Sequence, residues 1–90
     1  MENLHYAQNG RGGTLTYERE QVRINFDWEF GGGDCVAIIF VPTEAQWEKA
    51  TGLSLAERLP VLEFVARQVI RDQAPHCRYE ISDPWIEISR

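Results

Sequence analysis

The chain has 90 residues, 43% of them apolar, and a formal net charge of −5 from 14 acidic and 9 basic side chains. That length suits one domain over residues 1–90, since domains span about 50–250 residues. The acidic balance argues against a nucleic-acid partner, which needs lysine and arginine for phosphate contacts, and no stretch approaches the ~20 apolar residues of a membrane span.

Gln8–Gly13 carries Asn-Gly and Gly-Gly, which accept positive φ cheaply, and is predicted to be a turn or loose loop. Thr14–Glu18 reads as a short strand with Leu15 and Tyr17 on one face, and the polar run Glu18–Gln21 as a tight connection. From Val22 to Phe30, apolar residues alternate with Arg23, Asn25, Asp27 and Glu29. Period-two alternation means a strand with one buried and one wet face. Gly31–Asp34 then reverses the chain. Cys35–Val41 is continuously apolar and predicts a central strand buried on both faces.

Pro42 ends that strand. Thr43–Gln46 fits a capping box for a helix that stops at Gly52. Ser54–Glu57 fits a second box, opening a helical stretch to about Gln73 with Leu62, Val65, Ala66 and Val69 as its apolar stripe. Pro60 lies too deep for the first turn of a helix that opens at Ser54, which predicts a kink or restart near Leu59. Ala74-Pro75 breaks the helix. Cys77, Tyr79 and Ile81 alternate with polar residues, Asp83-Pro84 suits a turn, and Trp85–Ser89 gives a last strand with Ile86 and Ile88 inward. The predicted class is α+β: a three-stranded antiparallel meander plus a C-terminal strand pair, with two helices packed on one face, in the order β-β-β-α-α-β-β.

Chemistry-bearing motifs are sparse. The glycine clusters lead into strands, whereas a phosphate loop leads into a helix. His5, Cys35, His76 and Cys77 lack the paired spacing of a metal site, so neither metal nor cofactor is expected. Cys35 and Cys77 read as small buried hydrophobes able to meet across adjacent strands. Asp27 and Glu29 share the wet face of their strand, about 7 Å apart, with Asp34 beyond the glycine turn. Paired carboxylates serve acid–base chemistry and equally the polar face of a half-exposed strand. Trp85 falls out of phase with Ile86 and Ile88, and exposed tryptophan is enriched at protein interfaces. Candidate binding residues are therefore Trp85, Asp27, Glu29 and Asp34.

The leading expectation is a non-enzymatic protein-interaction module that binds a protein partner or its own copy. In size, acidity and meander-then-helix outline, the chain resembles some immunity proteins of bacterial polymorphic toxin systems. The resemblance implies a basic toxin as partner. A small acid–base enzyme centred on Asp27, Glu29 and Asp34 is a third reading. The start Met1-Glu2-Asn3 does not read as a signal peptide, and two cysteines make no secreted disulfide framework, which points to a bacterial cytoplasm.

Overall fold

Apolar alternation dictates most of the architecture. The structure, a computed structural model, describes residues 1–90. β1 (Glu2–Asn9), β2 (Gly12–Arg19), β3 (Val22–Phe30) and β4 (Cys35–Phe40) form an antiparallel meander. α1 (Trp47–Thr51), a short 3-10 turn (Leu55–Glu57) and α2 (Arg58–Gln73) follow, then β5 (Arg78–Ile81) and β6 (Trp85–Ser89). The six strands make one sheet in the order β1-β2-β3-β4-β6-β5. The class is α+β, with both helices on one face of an antiparallel sheet.

The observed order has one strand more than the sequence pattern predicts. β1 is an edge strand, and every residue in it except Leu4 is exposed. Its apolar alternation is too weak to announce a strand, and pairing with β2 along all eight residues supplies what the pattern lacks. The turn before β2 narrows to Gly10-Arg11, with Gly10 at φ 69°. Gly12 and Gly13 belong to β2 itself.

One core lies between the sheet's inner face and the helices. Leu15, Tyr17, Ile24, Phe26, Ile39, Ile86 and Ile88 reach it from the sheet, and Val61, Leu62, Val65 and Ala66 from α2. Each of the buried valine, leucine, isoleucine and phenylalanine side chains contributes about 1.5–3 kcal/mol by leaving water. Trp47 of α1 is fully buried, and its indole donates to the Ser54 carbonyl at 3.0 Å. Tyr17 is buried beside Phe64, edge to face at 5.8 Å. Its hydroxyl donates to Glu2 Oε2 at 2.6 Å and so clips the edge strand.

The helical region restarts as the proline demands. α2 begins at Arg58, so Pro60 sits in its first turn, where a missing N–H costs nothing. At α1, the Thr43 N–H donates back to Gln46 Oε1 at 3.4 Å, half of the expected box, and Gly52 closes the helix at φ 79°.

β4 departs from expectation in its burial. It is central, between β3 and β6, yet only one of its faces meets the helices. Ile39 is buried there, while Ile38 is half-buried and Phe40 is 39% exposed on the other side. An apolar run here means an apolar patch on an open face rather than a strand sandwiched between layers.

Candidate functional site

The outer face of the sheet carries three of the four residues singled out by the sequence, Trp85, Asp27 and Glu29. Register places them in rows. Trp85 stands opposite Phe40, and Phe40 opposite Asp27. In the next row, Glu80 faces Glu87, Glu87 faces Ile38, and Ile38 faces Glu29. Neighbouring strands are about 4.8 Å apart, so the three-residue row spans about 10 Å. Trp85 and Phe40, each 39% exposed, form with Ile38 an apolar strip edged by four carboxylates. None of those four carboxylates is in an ion pair, whereas Glu18, further out on the same face, holds both His5 and Arg23.

Asp27 and Glu29 flank a shallow depression, floored where Gly12 presents no side chain and bordered by Phe40 and Arg11. The structure thus brings Trp85, Asp27 and Glu29 onto one face. Asp34 lies apart, in the β3–β4 turn, where its carbonyl accepts the Arg90 N–H at 2.9 Å. All three acids are exposed.

The cysteines do not meet across adjacent strands. Cys35 is on β4 and Cys77 precedes β5, with β6 between those strands. Both are free thiols. Burial, and then the neighbouring Glu87 carboxylate, push the Cys35 thiol up from its ordinary value. That keeps it protonated, the opposite of an activated nucleophile. No three His, Cys, Asp or Glu side chains converge on a point that would hold a metal ion.

Sequence reasoning missed a second concavity, on the inner face. α2 ends at Gln73, and Ala74-Pro75 turns the chain away, so one corner of the sheet lies uncovered. There Trp28 and Phe30 of β3 pack edge to face at 4.9 Å, and Phe30 is 47% exposed despite pointing inward. Together with Tyr6, Ala37, Val69 and Ala74 they wall a cleft of about 280 Å³. Phe30 carries the inward alternation of β3 to its last residue, but no local pattern specifies where α2 stops over the sheet. Tyr6 spans the cleft's edge, its hydroxyl donating to Asp72 Oδ2 at 2.7 Å. Burial, with Asp72 as acceptor, raises the Tyr6 pKa well above the ordinary phenol value.

Compared with family models, curated proteins and solved structures, the chain finds no match.

Proposed function

We propose that this protein is a non-enzymatic interaction module whose binding face is the outer surface of the sheet. The observation that carries the reading is the row Trp85–Phe40–Asp27, exposed on a face that neither helix covers. Aromatic side chains supply binding energy when a partner desolvates them. The surrounding unpaired carboxylates select the partner's charge and speed its approach. The partner is therefore a protein that presents an apolar contact ringed by lysine or arginine. Self-association through this face is disfavoured by the same charges, since Glu80, Glu87, Glu29 and Asp27 would meet their own copies. The exposure of Asp27, Glu29 and Asp34 favours this reading over acid–base catalysis.

A toxin-neutralising role is the second reading, favoured by the concentration of acids on the one face that also bears exposed aromatics. It places the protein in a bacterial cytoplasm, in keeping with two free thiols rather than a disulfide. One experiment tests both. The wild-type chain, Trp85→Ala and the opposite-face control Arg67→Ala are used as bait in the native host. A basic partner is retained by the wild type and by the control and lost by Trp85→Ala, and its retention falls with salt. A set of bound proteins identical for all three baits would end the proposal. Protection against a co-expressed toxin, lost in Trp85→Ala, singles out the immunity role.

A further inference from the structure

We propose that the inner-face cleft binds a small uncharged aromatic molecule of about two fused rings. The cleft lies on the opposite side of the sheet from Trp85, so it stands or falls independently of the interaction face.

Size comes first. The cleft holds about 280 Å³. An apolar protein cavity of about 150 Å³ takes up a benzene, so the space here suits roughly two rings. It exists because small residues sit at its walls. Ala37 stands between Phe30 and Ile88 in the ladder and contributes only a methyl group, and Ala74 ends the helix with another. The Trp28 indole reaches back over β2 and donates to the Thr14 carbonyl at 3.1 Å. That bond fixes the ring that forms one wall.

Shape and polarity set the ligand class. Trp28 and Phe30 meet edge to face, a geometry in which a flat ring extends the stack. Eleven of the thirteen lining residues are hydrophobic, and the other two are the neutral carboxamides of Gln8 and Gln73. No ionised side chain lines the space, so a charged ligand would lose its hydration for nothing. Asp72, just outside, is already engaged by Tyr6 and Gln68. Gln73 makes no side-chain hydrogen bond within the chain and is available to a ligand N–H or O–H. An aromatic with one such group meets every feature: two rings of space, aromatic walls, and one free neutral partner at the mouth.

Indole is the probe, titrated into the full chain and followed by proton–nitrogen NMR. Saturable binding below ~1 mM is expected, with shifts confined to the Trp28 indole N–H and to residues around Ala37, Val69 and Ala74. Indole-acetate, which adds a charge, is expected to bind at least tenfold more weakly, and decanol, which is not flat, likewise. Ala37→Leu fills the space and is expected to weaken indole at least tenfold. Phe30→Ala, an exposed position that leaves the core intact, is expected to do the same should Ala37→Leu disturb packing. Binding that ignores both substitutions, equal binding of indole-acetate or decanol, or no saturation with the fold intact would each overturn the proposal.

Discussion

Arg58 Nη2 donates to Asp83 Oδ1 at 3.1 Å, joining a buried guanidinium to a largely exposed carboxylate. Arg58 Nε also donates to the Pro42 carbonyl at 3.1 Å, and the same Asp83 oxygen accepts the Glu44 N–H at 2.9 Å. One side chain thus ties the start of α2 to both loops that cross the end of the sheet.

Arg58→Met, which keeps the apolar stem and removes the donors, is expected to cost about 1–3 kcal/mol. In a domain of this size each kcal/mol lowers Tm by about 4–8 °C. Thermal unfolding by circular dichroism measures it. Asp83→Asn leaves an acceptor oxygen in place and is expected to cost less. Equal losses would mean that charge rather than hydrogen bonding holds the joint.

The glycines separate into tight and free positions. A Cβ on Gly13 would lie 1.9 Å from the Ala7 carbonyl oxygen, a backbone atom of the adjacent strand. Gly13→Ala is expected to destabilise by about 1–3 kcal/mol, through strain alone. Gly32→Ala meets no atom within 4 Å and needs no positive φ. It is expected to be neutral or to stabilise by up to about 1 kcal/mol. Urea midpoints for the two variants should move in opposite directions or differ by the first amount.

Stability should fall at both ends of the pH scale, for identifiable reasons. Tyr6 and Tyr17 are both held above the ordinary phenol value, by burial first and then by Asp72 and Glu2 as acceptors. Their contribution is complete below about pH 10 and is lost as pH rises beyond it. The ionisation of these two tyrosines should therefore accompany unfolding, and Tyr6→Phe should flatten the alkaline limb. On the acid side, Arg19 holds Glu57 below the ordinary carboxylate range through a 2.9 Å hydrogen bond. That contribution is present above the ordinary value and lost as pH falls. Glu57→Gln should flatten the acid limb. A limb that keeps its slope in either variant would assign the titration elsewhere.

Trp85→Ala should separate function from folding. It removes a cross-strand neighbour of Phe40 from a partly exposed position, worth about 0.2–1 kcal/mol. The variant is expected to unfold within a few degrees of the wild type while losing its partner. A large drop in Tm would instead make Trp85 a structural residue.

Strands β2, β3 and β6 were legible because their inward residues alternate and the core is one-sided. β1 was not, because an edge strand with an exposed face and little apolar content owes its conformation to its neighbour. The continuous run of β4 predicts two-sided burial, since periodicity reports apolarity and not what lies opposite. Trp85 was legible from its phase against Ile86 and Ile88. Its pairing with Phe40 was not, because no local pattern specifies which strand β6 chooses. The inner cleft has no local signature for a related reason: where a helix stops over a sheet is a tertiary distance.

Every strand pairing but one is a hairpin between neighbours in the sequence; the exception joins β4 to β6. Phe40 and Trp85 are half the chain apart. Closing so long a loop is slow compared with forming the hairpins, so the β4–β6 zipper is expected to set the rate of assembly. Until it closes, the most apolar strand in the molecule is an open edge, the kind that pairs with the wrong chain. The row proposed as the binding face is also the seam that seals the sheet, and a partner bound across it is expected to slow unfolding by holding that seam shut.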